Sequence, residues 1–349
     1  MESSNYFNFA PDFLPFKNAS NQLLENIPTP SNDFSDVVLA LSAIYLFQAR
    51  DAAKGVNSPT EYINQELLKV SEFLKFTKIF TFKKSKTINP DSIEEITTHL
   101  YSELFSRFEK EHYVDEPLYL LRQRLERNNF PIDNFSSWSA LDSGCGNGRY
   151  SVALKNLGMR RVIGLDLSPD NINDAITRNS LSDINLDFCV GDVQNLPFEN
   201  ESFDFVFSNG VVHHTKNPSK ATQELVRVLK KGGVGFFKVM PNPGGIHWHI
   251  IEVLRVLTAN LELNTFVKVA EMLGIPPNLR YFMIDHIKVP INIRYTKTQA
   301  EMLLKDAGAR NIRFWERGAD IDRSESVYQN QPHAEILYGI GENRFYFEK

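Results

Sequence analysis

The stretch WSALDSGCGNGRYSVALKNLGMRRVIGLD, Trp138 to Asp166, decides how the rest of the chain reads. A short apolar run, Trp138 to Leu141, ends in Asp142. Alternate glycines follow (Gly144, Gly146, Gly148), then a helical pattern, then a second apolar run that ends in Asp166. Strand, glycine turn, helix, strand and acid form the opening half of a nucleotide-binding α/β domain. The glycines let the backbone turn sharply and approach a ligand closely. An acid at the end of the second strand accepts hydrogen bonds from a ribose.

Glycine turns of this kind serve NAD, FAD and S-adenosylmethionine alike. Asp142, two residues before the first glycine, discriminates among them. A carboxylate is repelled by a pyrophosphate and attracted by an ammonium group. It therefore favours S-adenosylmethionine, whose amino-acid end is zwitterionic, over a dinucleotide.

The pattern continues downstream. The helix after Gly148 runs to Gly158, with N-terminal amides that suit a carboxylate; Arg149 is placed to help. The third strand, Ile184 to Asp192, ends in an acid expected to accept the adenine amino group while the Val193 backbone donates. The fourth strand, FDFVFSNG, leaves with Asn209 and Gly210 and leads to Val211-Val212-His213-His214. Asn217 and Pro218 open a helix that Gly232-Gly233 are expected to close, and VGFFKVM reads as strand five.

These motifs resemble those of the class I S-adenosylmethionine-dependent methyltransferases, in particular the methyltransferase type 11 group. The matching segments are LDSGCGNG, Asp166, GDVQNLPF with Asp192, FDFVFSNGVVHH and ELVRVLKKGG. The resemblance is strong over roughly 135–240, weaker over 291–349 and absent over 1–100. It implies an α/β, Rossmann-like seven-stranded methyltransferase sheet, mostly parallel with an antiparallel last strand. It implies S-adenosyl-L-methionine as cofactor, S-adenosyl-L-homocysteine as product, and contacts from Asp142, Gly144, Cys145, Gly146, Asp166, Leu167, Asp192, Val193, Asn209 and Gly210. The acceptor stays open, because the family methylates small oxygen, nitrogen, carbon and sulfur nucleophiles and some macromolecules.

Outside this block the chain reads as additions. Residues 1–130 are expected to form a mainly helical cap or dimerisation region, and 131–349 the S-adenosylmethionine-binding domain. Two helical runs lie between Ser35 and Phe80. Tyr113 and Asp115 are expected on a bend before Pro117; Tyr101, Phe105 and Tyr113 there are expected to be packed, with a cover over the cofactor as the alternative role. A helical insertion after strand five, 241–295, is the expected substrate lid, with two helices ending at Gly274. Arg280, Tyr281, Arg294 and Tyr295 there are candidates for an acidic acceptor. Further on, Thr298 and Glu301 suggest a capping box, IRFWERG strand six, GADIDRSESVYQNQ a loop, and HAEILYGIG with FYFEK the last strand.

Histidine titrates near neutral pH, so His214, His247, His249 and His286 are the candidate general bases, with Asp285 beside the last. His247 and His249, at i and i+2, do not share a helix face, so no metal pair is expected.

Composition narrows the classes. The 349 residues carry 38 Lys and Arg against 43 Asp and Glu, a net charge of -5 that argues against a polyanion as obligate partner. Lys83, Lys84 and Lys86 are the anchors of the alternative, a tRNA or peptide methyltransferase. Two cysteines are too few for a disulfide scaffold or a thiolate metal site. There is no signal-peptide pattern at the N-terminus and no apolar run near the roughly 20 residues that span a bilayer. The expectation is a cytoplasmic S-adenosylmethionine-dependent methyltransferase for a small-molecule acceptor, without metal or membrane and possible as a homodimer. A nicotinamide oxidoreductase and a catalytically silent cofactor-binding subunit are the remote alternatives.

Overall fold

The computed structural model describes residues 14–27, 33–77, 111–180 and 186–349. Tyr101, Phe105 and the lysines at 83, 84 and 86 lie outside them. The described residues fall in two compact units. One draws on Met1–Asp91, Asn242–Val289 and Asn330–Ile340, the other on Ser92–Pro241, Pro290–Gln329 and Gly341–Lys349.

The second unit holds the sheet. Its strands are β1 (Ser139–Ser143), β2 (Arg161–Asp166), β3 (Asp187–Val190), β4 (Phe203–Asn209), β5 (Leu229–Pro241), β6 (Arg294–Tyr295), β7 (Arg310–Phe314) and β8 (Asn343–Glu348). Seven of them run in the order β3-β2-β1-β4-β5-β8-β7, and the two-residue β6 pairs separately with the end of β5. β8 is antiparallel to both neighbours, the rest of the path parallel. The Rossmann-like layout expected from the sequence is present.

Strand residues alternate between two cores, as the pleat requires. Leu141, Val206 and Phe237 face one side, with Ala221 and Leu225 of the helix Pro218–Val228 and Leu304 of the helix Lys297–Asp306. Ala140, Phe205, Phe207 and Phe236 face the other, with Leu121 and Leu125 of the helix Glu116–Arg127 and Ala153 and Leu154 of the helix Arg149–Asn156. Burial on both faces explains why β1 and β4 read as near-continuous apolar runs.

Several local expectations are corrected. The chain does not bend before Pro117: a π-helical turn, Glu111–Asp115, runs straight into the helix Glu116–Arg127, because proline is tolerated in a first helical turn. The helix from Pro218 stops at Val228, so Lys230 to Gly233 belong to β5. The capping box is Thr296 with Gln299, two residues earlier than the motif suggested. GADIDRSESVYQNQ contains a helix, Arg323–Tyr328, whose Ser324 and Glu325 are buried. Ala334–Tyr338 is helical, and the last strand is Asn343–Glu348 alone.

The first unit is helical: Leu14–Glu25, Asp33–Ala52, Pro59–Thr77, Gly245–Leu257, Leu263–Met272, Pro277–Ile287 and Ala334–Tyr338. The insertion thus holds a third helix beyond Gly274, with Pro276 at its N-cap and Pro277 at its start, where proline is pre-organised for the helix. Trp248, fully buried, packs so closely on Gly244 that a Cβ there would lie 2.0 Å from its ring. Leu41, Ser42, Ile44, Tyr45, Val70 and Phe73 line an apolar cavity of about 420 Å³ in this unit.

Candidate functional site

The site is built around the turn between β1 and the helix Arg149–Asn156. The Leu165 carbonyl of β2 accepts from the amides of Gly144 (2.7 Å) and Cys145 (2.9 Å). Asp166 Oδ2 accepts from the Gly146 amide at 2.8 Å. The hydroxyl of Tyr113, from the π-helical turn, donates to the Asn147 carbonyl at 2.7 Å and accepts from Asn179 Nδ2 at 3.0 Å. Four successive turn residues are therefore held from β2 and from an upstream helix. Tyr113 is packed, as its sequence reading favoured, with its hydroxyl on the turn.

Two glycines have no substitute here. Gly144 has φ +80°, and a Cβ would lie 2.5 Å from both methyls of Val211. Gly148 has φ +85° and would meet the Phe188 ring at 2.7 Å. Each position combines left-handed backbone with close packing, which L side chains do not tolerate.

The acids at the strand ends differ in their surroundings. Asp142 is 2% exposed, and its Oδ2 accepts from the Ser151 hydroxyl at 2.6 Å. Burial pushes its carboxyl up to about 7, aided by the charge of Asp166. Asp166 is half-buried and raised by burial, which its hydrogen bonds only partly offset. Besides Gly146 it serves the Ser168 amide at 3.0 Å and Asn171 Nδ2 at 3.2 Å. A carboxylate offers about four lone-pair sites, so roughly one remains for a ribose hydroxyl. Asp192 receives the Gln194 amide at 2.8 Å, and the Gln194 side chain bridges it to the Asn217 amide. That bridge was not legible in the sequence, since Gln194 carries no motif.

The remaining contact candidates spread along the same edge. Val193 is buried, Leu167 is 43% exposed, and Asn209 and Gly210 are half-buried, the Gly210 amide donating to the Lys238 carbonyl at 3.1 Å. Cys145 is buried, and burial raises its thiol well above the ordinary range, so it is no nucleophile. Its sulfur faces Gly164, where a Cβ would lie 2.9 Å away.

The histidines divide between the units. His214 belongs to the second: its Nδ1 lies 2.6 Å from the Ile291 carbonyl. A carbonyl only accepts, so Nδ1 donates; in the neutral ring the lone pair is then on Nε2. His247, His249 and His286 belong to the first. His247 and His286 are buried with ring centroids 5.9 Å apart, both against Trp248, while His249 meets Ser20 Oγ at 3.0 Å. Arg280 is engaged by Glu271 at 2.6 Å. Among the described residues no cluster of His, Cys, Asp and Glu is placed to hold a metal ion, and no helix is long and apolar enough to cross a membrane.

Strand order, glycine turn and strand-tip acids are those of a Rossmann-like methyltransferase fold. Residues 141–237 match the family model described as a methyltransferase domain. Over 110 residues the chain is 31% identical to the tRNA U34 carboxymethyltransferase of Campylobacter curvus, covering 32% of this chain and 37% of that protein. It is 34% identical over 100 residues to the malonyl-[acyl-carrier protein] O-methyltransferase of Yersinia pestis, covering 29% and 36%. The chain thus spans little more than a third of the length of these relatives. A chain of the Haloferax volcanii complex between the Trm112 methyltransferase activator and a putative methyltransferase aligns at 20% identity and TM-score 0.46, over 75% of this chain and 99% of that one.

Proposed function

We propose that this chain transfers a methyl group from S-adenosylmethionine to a small-molecule nucleophile. The observation that carries the reading is the state of Asp142 and Asp166. Their hydrogen-bond donors are all neutral: the Ser151 hydroxyl for one, the Gly146 and Ser168 amides and Asn171 for the other. No cation pairs with either among the described residues, and burial raises both. Such a site is short of positive charge. An ammonium and a sulfonium supply it, whereas a dinucleotide pyrophosphate adds to the deficit.

The sulfonium brings a methyl group already activated for transfer. The chain's part is to hold the cofactor by the turn and strand-tip acids, align the acceptor and exclude water. A carboxylate or amine acceptor needs no strong base. For a hydroxyl or carbon acid, His214 is the favoured base, because its Nδ1–H is anchored on Ile291, which in the neutral ring leaves Nε2 as the basic nitrogen. His247 and His286, packed on Trp248, and His249, bonded to Ser20, are the weaker candidates.

Calorimetry with S-adenosylmethionine, S-adenosylhomocysteine and NAD in parallel tests the reading. Binding of the first two and not the third is expected, followed by a methylated product in small-molecule extracts. Absence of heat with both sulfur compounds sinks it. The likeness to a tRNA-modifying enzyme supports a second reading, an RNA acceptor, which methyl incorporation into bulk tRNA would establish. Tight cofactor binding with turnover only after a partner protein is added would mark a silent subunit.

A further inference from the structure

Lys238 lies near the carboxyl end of β5, in register with Asn209 of β4 on one side and Arg344 of β8 on the other. Alternation puts it on the face of Phe236, which stacks on Phe207 at 4.7 Å; Tyr150 covers that face, 5.6 Å from Phe207. Two cations directly opposite in an antiparallel pair repel each other. Arg344, 2% exposed, is answered by Asp322 at 2.8 Å, Glu342 at 3.7 Å and Ser324 at 3.1 Å, yet its buried Nε has no partner among the described residues. Asp322 is already shared with Arg124, which holds both of its oxygens at 2.7 Å. The side-chain amine of Lys238, unlike its carbonyl, has no hydrogen-bond or ion-pair partner among the described residues.

The local charge does not balance. Asp322 is shared by Arg124 and Arg344, and Glu342 by Arg344 and Arg323, so neither acid is left over for Lys238. A half-buried cation without a counter-ion is unfavourable, and its neutralisation by a bound anion is favourable. Tyr150 does not fill the gap: its hydroxyl accepts from Arg124 at 3.0 Å. Burial raises this phenol, but Arg124, Arg149 and Lys238 outweigh that and bring it below its ordinary value, a sign of surplus positive charge. Burial and Arg344 likewise lower Lys238 to about 8, so the amine is charged at neutral pH but readily loses its proton.

We infer that Lys238, backed by Arg344, is an oxyanion-binding site beside Asn209 that receives the carboxylate or phosphate of the methyl acceptor. The assignment of that anion to an acceptor rests on the methyltransferase reading; the anion site does not. It replaces Arg280, engaged by Glu271, as the feature selecting an acidic acceptor.

The test titrates the full chain with sodium acetate and, separately, inorganic phosphate at constant ionic strength, by calorimetry, with and without S-adenosylhomocysteine. Saturable binding of at least one anion is expected, weakened about tenfold or more in Lys238→Met and retained in Lys238→Arg. Equal binding by wild type and Lys238→Met, or none by wild type, overturns the site. Should Lys238→Met not fold, the wild type decides alone: anion affinity must fall as pH rises through about 8, and a flat profile overturns the site. The charged neighbours in that profile are Arg124, Arg149, Tyr150, Asp322, Glu342 and Arg344. Loss of anion binding when S-adenosylhomocysteine is bound would assign the site to the cofactor's own carboxylate and overturn the acceptor assignment. Anion binding without any binding of S-adenosylhomocysteine would defeat the methyltransferase reading and leave the anion site standing.

Discussion

The carboxylate of Asp166, at the end of β2, accepts a hydrogen bond from the amide of Gly146, in the turn that follows β1, at 2.8 Å. The acid expected to grip a ribose is therefore also a strut for the glycine turn. With Leu165 holding the amides of Gly144 and Cys145, the tip of β2 shapes three consecutive residues of the neighbouring loop.

Asp166→Asn separates the two roles. An amide keeps one acceptor oxygen but brings two N–H donors to a site surrounded by donors. The expected outcome is a loss of about 1–3 kcal/mol of stability, from an unmet donor or amide, together with loss of cofactor affinity. Urea unfolding and calorimetry measure the two effects. Full stability with weakened binding would mean that the strut adds nothing.

Gly144→Ala meets two obstacles, left-handed backbone and the Val211 methyls at 2.5 Å. Overpacking and backbone strain each amount to about 1–3 kcal/mol. Adding Val211→Ala is expected to recover the packing part and leave the backbone part. A double-mutant cycle by thermal unfolding reads the difference, and no coupling between the sites would contradict the contact.

Acidity at Asp142 has a definite sign. Burial raises its carboxyl from the ordinary 3.8 to about 7. Between these values the folded chain holds a proton that the unfolded chain releases, so stability falls as pH rises from about 4 to about 7. Asp142→Asn removes the titration. Its difference from wild type should change by a few kcal/mol, in order of magnitude, across that window, measured by unfolding at matched pH values without cofactor. Identical pH slopes would show that Asp142 is already ionised.

Asp322 behaves oppositely. Burial alone would raise its carboxyl, but Arg344 and Arg124 overcome this and hold it well below the usual range. Its contribution is complete above pH 4 and is lost on acidification. Asp322→Asn leaves two buried guanidiniums without their shared anion and is expected to cost about 3–5 kcal/mol. A change below 1 kcal/mol in denaturant unfolding at pH 7 would refute the linkage.

Ser42 is 2% exposed, lines the apolar cavity of the helical unit, and its hydroxyl has no hydrogen-bond partner among the described residues. Ser42→Ala removes an unmet polar group with little change of shape, so a gain of about 1 kcal/mol is expected. A clear loss of thermal stability would show that the hydroxyl is bonded.

The chain by itself determined the order of elements from Trp138 to β5, the placement of acids at three strand ends, and the positions where only glycine fits. These follow from local rules: apolar runs buried on both faces, caps, and turns that demand left-handed backbone. The alternative it left open, the acceptor, is undecided by the same rules, because recognition joins residues distant in sequence. Only the tertiary structure set Tyr113 against Asn147, shared Asp322 between Arg124 and Arg344, and put Lys238 opposite Arg344. It also made a helix of Arg323–Tyr328, a stretch that composition marked as a loop. Its polar residues are buried because charges brought from elsewhere in the chain satisfy them: Ser324 takes Arg344 and Glu342, and Glu325 takes Arg317. No periodicity within the stretch could announce those partners.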